Sequence, residues 1–271
     1  MQLRTDLTTR EEQAAYLAEA LAGLFQGPAQ PSPIRGGRRA ALRRLRAFNV
    51  HHYARTRNDV VQRGVSMLSP YLRHGMLSLA EVRDSILGRF GITPDTEKFV
   101  NELAWRAFWQ LVYAHLGDRI HHDIEPAKHK ARVPRRRLPP DVTAATTGLV
   151  CIDESLRELY TVGYMHNHAR MWVAAYLIHW LGVDWREGAD LFYRHLLDGD
   201  PASNSLSWQW VNSTFSHKPY IFNRQNVERF SAGTFCARCP LAKVGCPFDD
   251  SYENLAWRLF GVTLAELEGR R

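Results

Sequence analysis

From Ala40 onward the apolar residues of this chain return at every third and fourth position, through Ala40 to Phe48, Leu79 to Phe90, Glu97 to Leu116, Ser155 to Leu181 and Trp185 to Leu197. That period places side chains on one face of a helix, whereas a half-buried strand needs strict alternation, and no convincing alternation appears. The chain is therefore expected to be all-α. At 271 residues and 45% hydrophobic, it can build a core without disulfide or metal staples. Upstream, Thr9-Arg-Glu-Glu12 has capping-box spacing ahead of an amphipathic run from Ala14 to Phe25, which predicts a first helix. Gly27 to Pro33, with three prolines, then breaks it. The expected organisation is an N-terminal helix and linker over 1–33, then one helical domain over 34–271. Within that domain, His121 to Leu149 is rich in proline, lysine and arginine and reads as a long loop. No internal repeat and no glycine-rich phosphate loop is present.

The charge is concentrated. Arg35 to Arg46 holds six arginines, Lys128 to Arg137 holds six lysines and arginines, and neither segment contains an acid. Outside them 23 basic residues (35 − 12) face 28 acidic ones, so the formal net charge of +7 comes from two local runs. Such runs suit a polyanion such as DNA, whose phosphates release counterions on contact; a solvated surface is the plain alternative. No stretch of eighteen apolar residues occurs, and Met1 to Arg10 lacks the pattern of a secretory signal. A cytoplasmic protein with no membrane partner is expected.

Three local words carry chemistry. In Asn101-Glu-Leu-Ala-Trp-Arg-Ala-Phe-Trp109, Glu102, Trp105, Arg106 and Trp109 fall at i, i+3, i+4 and i+7, so one helix face shows an acid, a base and two indoles. A plain core stripe would carry Leu, Ile or Val. This mixture offers stacking surface and directed hydrogen bonds to a planar, charged ligand, although an ion pair rimming an aromatic core has the same composition. In Gly163-Tyr-Met-His-Asn-His-Ala-Arg-Met171, Asn167, Arg170 and Met171 share a face by the same spacing. Leu197-Asp-Gly-Asp-Pro-Ala-Ser-Asn204 is a turn with two carboxylates and a carboxamide, followed at once by Trp208-Gln-Trp210.

Together with Leu68-Ser-Pro-Tyr-Leu72 and Asp184-Trp-Arg-Glu-Gly188, these words stand in the order and approximate spacing of the catalytic domain of the DNA photolyase and cryptochrome family, which the chain resembles from about Ile34 to near its C-terminus. The resemblance implies an all-α domain holding FAD in a bent form. Tyr53 and Ser66, Met67, Leu68 and Ser69 match the diphosphate-binding segment, where a hydroxyl and amides near a helix start suit a pyrophosphate. Arg106 and Arg170 match the arginines beside flavin and diphosphate, and Asp198 and Asp200 the acids near the ribityl chain and flavin ring. Asn204 matches the side chain facing flavin N5, and Asn167 belongs to the same cofactor set.

The resemblance also implies a lesion pocket. Glu102, Trp105, Asn167, Met171 and Trp210 match the residues lining the cavity for a flipped-out cyclobutane pyrimidine dimer, where indoles stack and the carboxylate hydrogen-bonds the base edge. Trp208 and Trp185 match the first two tryptophans of the family's electron relay, but no Trp lies between Trp109 and Trp172 to serve as the outermost. Other departures are Val65 for a phosphate-binding Thr, Ala107 for an acid, Tyr164 for Trp, His168 for Arg and Tyr220 for Arg. The last two weaken the expected grip on DNA phosphates. His166 is expected to be structural or a proton donor near the lesion.

Only four cysteines occur, Cys151, Cys236, Cys239 and Cys246, the last three in Cys-x2-Cys-x6-Cys. A disulfide framework does not suit a cytoplasmic chain, and spacing alone leaves zinc and an iron–sulfur cluster open. One bacterial branch of the family places one Cys upstream of the flavin-binding helix and three near the C-terminus around a 4Fe-4S cluster. By that likeness the segment 233–250 is expected to hold such a cluster, with a shorter x6 spacing than the branch carries. His51, His52, His121 and His122 lack carboxylates at ligand spacing and are not expected to bind metal.

Full-length photolyases begin with an α/β antenna domain, and about 33 residues before the resemblance are too few for one. The expectation is a short form that harvests light through FAD alone or takes an antenna from a separate protein. The resemblance implies a photolyase-like lyase acting on damaged DNA, single-stranded DNA included. The alternatives are a cryptochrome-like flavin photoreceptor or redox sensor, and a nucleic-acid-binding module without repair activity.

Overall fold

The computed structural model describes residues 4, 6–25, 31–129 and 134–269. Contacts divide the chain into two units, Met1–Arg35 and Gly36–Arg271. In the first, the helix Arg10–Ala20 starts as its sequence predicts: Thr9 Oγ accepts the Glu12 amide at 3.2 Å and the Glu12 carboxylate accepts the Thr9 amide at 3.0 Å. It ends five residues short of Phe25. None of its residues is buried, so no packing extends it beyond what the cap nucleates.

The second unit is helical, and among the described residues the only β pairing is an isolated bridge between Arg135 and Val183. The helix Leu79–Phe90 has its expected limits, with a capping box at Ser78 and Glu81. Pro94–Leu116 begins three residues before Glu97, because Thr93 caps it and Pro94 stands in its first turn, where a missing N–H costs nothing. The run from Ser155 to Leu181 is not one helix. Val150–Val162 ends at Gly163, Asn167–Ala175 follows, and Tyr176–Trp180 widens into a π turn. Gly163 has φ +70°, and a Cβ there would sit 2.9 Å from Leu197 Cγ and 3.3 Å from the His195 carbonyl oxygen, so only glycine lets the chain turn at this point. Trp185–His195 and Pro201–Asn212 are capped by Asp184 and Asp200, whose carboxylates accept the amides of Arg186 and Ser203.

The core centres on the Asn167–Ala175 helix. Trp172, fully buried, has about 4 to 6 kcal/mol of apolar area removed from water around it. Next to it Phe222 and Phe248 meet at a tilt with ring centres 4.5 Å apart and Trp180 meets Phe248 edge-on at 5.1 Å, which fastens the C-terminal segment to the bundle. The proline-rich loop is tied down at several points. Gln209 takes the Ile124 amide at 3.0 Å and gives to the Ile120 carbonyl at 2.8 Å, Val142 is buried, and Asp153 accepts the amides of Thr147 and Gly148. Residues 130–133, in the second basic run, lie outside the described residues.

Candidate cofactor and substrate cavity

Four helices and one turn enclose a cavity of about 440 Å³. Pro94–Leu116 contributes Glu102, Trp105 and Arg106, and Asn167–Ala175 contributes Asn167, Arg170 and Met171. The turn after Trp185–His195 brings Asp198 and Asp200, and Pro201–Asn212 brings Asn204, Trp208 and Trp210. Residues separated by more than a hundred positions thus meet in one space of the size that takes a drug-sized ligand.

Its floor is charged and internally matched. Arg170 Nη2 reaches both Asp198 oxygens, at 3.0 and 2.8 Å, while its Nε donates to the Met165 carbonyl at 2.9 Å. The guanidinium lies 5.5 Å from the Tyr164 ring centre, so the tyrosine offers the cation an aromatic face. Burial pushes the Tyr164 hydroxyl up to about 12. Asp200 accepts the Ser203 hydroxyl at 2.6 Å, the Ser203 amide at 3.0 Å and the Gln110 amide group at 2.7 Å, with Arg106 at 3.9 Å. Burial raises its pKa, but those hydrogen bonds and the Arg106 charge outweigh it and hold the carboxyl below its ordinary value. Asn204 Nδ2 donates to the Ala189 carbonyl at 2.7 Å, which fixes the amide and leaves its Oδ1 to accept.

The mouth is aromatic. Trp105 is 51% and Trp210 38% exposed although both line the cavity, and Trp105 stacks at 5.5 Å on Trp109, another lining residue. Glu102 stands between two cations, Lys98 at 2.9 Å and Arg57 at 3.3 Å. Neither cation was singled out from sequence. Lys98 precedes Glu102 by four residues and could have been found by helical spacing, whereas Arg57 has no sequence signal, because only the fold brings it to this helix.

Trp208 is buried, lines the cavity and meets Phe192 edge-on at 5.0 Å. Gly188 makes room for it: a Cβ there would lie 2.2 Å from the Trp208 ring. Trp185 is also buried but does not line this cavity; its indole N–H donates to Asp123 at 2.8 Å, and it shares a neighbouring space with Tyr113 and Tyr193.

The segment matched to a diphosphate site, Tyr53 and 66–69, stands apart from the lining. Tyr53 packs edge-on to Phe99 at 5.2 Å, and Asp95 accepts the amides on either side of it, of His52 and Ala54, at 2.8 Å each. Ser66 gives its carbonyl to Arg44 at 3.0 Å, Met67 adopts φ +52°, Leu68 is buried, and Ser69 starts the short helix Ser69–Arg73. Arg73 and His74 then bond the carbonyls of Gly199 and Leu197 at 2.5 and 2.9 Å, which pins this segment against the turn that carries Asp198.

Other expectations need adjustment. His166 does not line the cavity, so it is not placed to give a proton to anything inside it. His168 is buried against Trp172 and Phe230, where burial lowers its pKa to about 4, so it is a neutral core side chain. Tyr220 lies 5.7 Å from Trp210 with its hydroxyl buried and unpartnered. In the first basic run Arg38 pairs with Glu81 while Arg39, Arg43 and Arg46 are exposed; in the second, Arg136 and Arg137 are exposed. The cations that line the cavity are instead Arg57, Lys98, Arg106 and Arg170.

Cys151, Cys236, Cys239 and Cys246 line one small apolar space beside Phe235 and Phe248. Burial raises the Cys151 and Cys246 thiols above their ordinary value and takes Cys236 to about 11. Among the described residues no three Cys, His, Asp or Glu side chains are arranged to hold a metal ion. The four sulfurs therefore converge without adopting ligand geometry. No helix among the described residues is long and apolar enough to cross a membrane.

A bundle with no strand among its described residues, which closes charged pairs and indoles around a ligand-sized cavity, defines a helical cofactor-binding domain. Residues 99–234 match the family described as the FAD binding domain of DNA photolyase. A deoxyribodipyrimidine photo-lyase of Streptomyces griseus is 35% identical over 187 residues, covering 68% of this chain and 40% of that protein. Among solved structures, a class III photolyase from Agrobacterium tumefaciens has a TM-score of 0.65 at 26% identity, covering 93% of this chain and 58% of its own. A cryptochrome from Synechocystis has a TM-score of 0.66 at 25% identity, covering 76% and 46%. This chain belongs to the photolyase and cryptochrome family, as its FAD-binding helical domain. It spans about two-fifths of the length of the curated relatives it matches.

Proposed function

We propose that the 440 Å³ cavity holds FAD and that the chain carries out light-driven repair of cyclobutane pyrimidine dimers in DNA. The observation that carries this reading is the order of the lining: fixed charges and a fixed amide at the floor, exposed indoles and a carboxylate at the mouth. The residues fit the group. Arg106 and Arg170 offer planar cations to a diphosphate or flavin edge, Asp198 and Asp200 keep those cations in place, and Asn204 offers a held acceptor.

Bound in its reduced form beside Arg106, Arg170 and Asn204, FAD would supply a photoexcitable electron donor for splitting the dimer. The chain's own residues do the rest. Trp105 and Trp210 give a flipped dimer two indole surfaces to replace the stacking it leaves, and Met171 fills the wall beside them. Glu102, held by Lys98 and Arg57, accepts a hydrogen bond from the base edge. Trp208 and Trp185 are candidates to pass electrons inward, and Tyr113 and Tyr193, which line one space with Trp185, are the aromatic residues offered for the outer step. An indole as exposed as Trp105 favours a stacked substrate over a sealed photoreceptor pocket. The exposed arginines of 38–46 and 135–137 are offered to DNA phosphates.

The four cysteines are proposed to ligate a 4Fe-4S cluster, with zinc as the smaller alternative. Their donor set suits either.

The test of the repair reading is light against dark. Protein purified without oxygen is expected to be yellow, to release FAD on denaturation and, once reduced, to remove dimers from single-stranded DNA only when lit. Equal dimer content in lit and dark samples with reduced flavin present rejects repair; absence of flavin rejects the cofactor.

A further inference from the structure

The two exposed indoles that line the 440 Å³ cavity are backed in the same way. Trp105 lies on Trp109 with ring centres 5.5 Å apart and planes at 30°, and Trp210 lies on Tyr220 at 5.7 Å and 32°. Both pairs fall in the range of centre distances that aromatic rings favour. Both also lead to one turn. Tyr220 belongs to the segment 213–220 that follows the Pro201–Asn212 helix, and Phe215 of the same segment meets Trp109 at 5.6 Å.

Local chemistry folds that turn back on the helix. Ser213 takes φ +66° and ends the helix, after which the amides of Thr214 and Tyr220 donate to the carbonyls of Gln209 and Val211 at 3.0 and 3.1 Å. The Ser216 hydroxyl lies 2.8 Å from the carbonyls of Trp210 and Lys218, which ties the middle of the turn to the end of the helix. Tyr220 packs against the main core and its hydroxyl is buried without a partner, so the phenol serves here as a ring and not as a hydrogen-bonding group. Trp210 is 38% exposed, and Ser207, one turn before it on the cavity wall, is too small to hold an indole. With so little support along its own helix, the Trp210 side chain has several rotamers open to it unless a ring from outside limits them.

We propose that Tyr220 is a positioning residue for the substrate: its ring fixes the Trp210 rotamer, while Phe215 steadies Trp105 through Trp109, so that one turn sets the gap between the two indoles before a dimer enters. This deepens the repair reading and rests on it. A side chain that is already fixed loses less freedom when a ligand stacks on it, so the effect falls on binding and not on the light-driven step.

Flavin-loaded protein tests the proposal in the dark, with a single-stranded oligonucleotide carrying one thymine dimer and the same strand undamaged. Tyr220→Leu is expected to bind the dimer strand about three- to tenfold more weakly, the cost of immobilising one freed side chain. Its affinity for the undamaged strand, and its repair yield per absorbed photon at saturating dimer, should be unchanged. Tyr220→Phe keeps the ring and sheds only the unpartnered hydroxyl, so it should match the unsubstituted protein. Phe215→Leu should weaken dimer binding in the same sense but less, because it acts through a second ring. Ligand-free protein labelled with 5-fluorotryptophan gives an independent readout. The fluorine signal of Trp210, identified by its loss in Trp210→Phe, should be single and narrow, and should broaden or split in Tyr220→Leu but not in Tyr220→Phe. Unchanged dimer affinity in Tyr220→Leu, equal losses for both strands, a loss shared by Tyr220→Phe, or a Trp210 signal as narrow in Tyr220→Leu as without it overturns the proposal. Unsubstituted protein that shows no preference for the dimer strand counts against the repair reading instead, and the fluorine signal then decides whether Tyr220 fixes Trp210.

Discussion

One nitrogen of Arg170 serves both oxygens of Asp198, and the carboxylate side chain is only 3% exposed. The pair therefore stands or falls together: removing the acid leaves a cation with little water to solvate it, and removing the base leaves an anion with less.

Asp198→Ala is expected to destabilise the chain by about 3 kcal/mol and to strip it of FAD, because Arg170 loses the partner that orients it. Asp198→Asn, which keeps one acceptor oxygen, should lose less. Urea denaturation and the flavin-to-protein ratio after purification measure both effects; a wild-type midpoint and a full flavin complement in Asp198→Ala would refute them.

Gly188→Ala probes the contact between the Trp185–His195 and Pro201–Asn212 helices. The added methyl would lie 2.2 Å from the Trp208 ring, so the indole or the helix must shift. Overpacking of this kind costs about 1 to 3 kcal/mol. Thermal melting should show the loss, and Trp208 fluorescence should report the displaced ring.

Stability should fall on acidification. Burial lowers His166 and His168 to about 4 and His179 to about 3. Above about pH 6.5 these rings are neutral folded and unfolded, and they add no pH dependence. As pH drops from there toward 4, the unfolded chain takes up protons that the folded chain refuses, so each histidine withdraws up to about 3 kcal/mol. His179 faces His129, Phe260 and the Val211 carbonyl, with no acid among these contacts to rescue the charged form. Denaturation curves between pH 7.5 and 4.5 should steepen this way, and His179→Gln should flatten the slope by its share.

Val65→Thr restores a hydroxyl in the segment that resembles a diphosphate site. One added hydrogen bond to a charged oxygen is worth about 1.5 kcal/mol, or roughly a tenfold tighter FAD dissociation constant. Equilibrium dialysis with FAD checks it, and an unchanged constant would place the diphosphate elsewhere.

If the cysteines hold metal, anaerobic protein should contain iron or zinc by elemental analysis, and Cys239→Ala should lower it. The Phe222–Phe248 and Trp180–Phe248 contacts hold the segment without metal, so that variant should stay folded.

The periodicity of apolar residues determined that the chain is helical, and local patterns fixed several limits: the Thr9–Glu12 box and the Leu79–Phe90 helix were readable in order along the chain. The spacing of Glu102, Trp105 and Arg106 likewise determined that they share a face, since a helix repeats every 3.6 residues wherever it lies. Tertiary structure alone decided what that face meets. Arg57 beside Glu102, Gln110 on Asp200 and Arg73 on the Gly199 carbonyl all depend on contacts between distant segments. No local period encodes such meetings, because they follow from how whole helices pack, and from a glycine at 163 whose missing Cβ leaves room for a leucine 34 residues away.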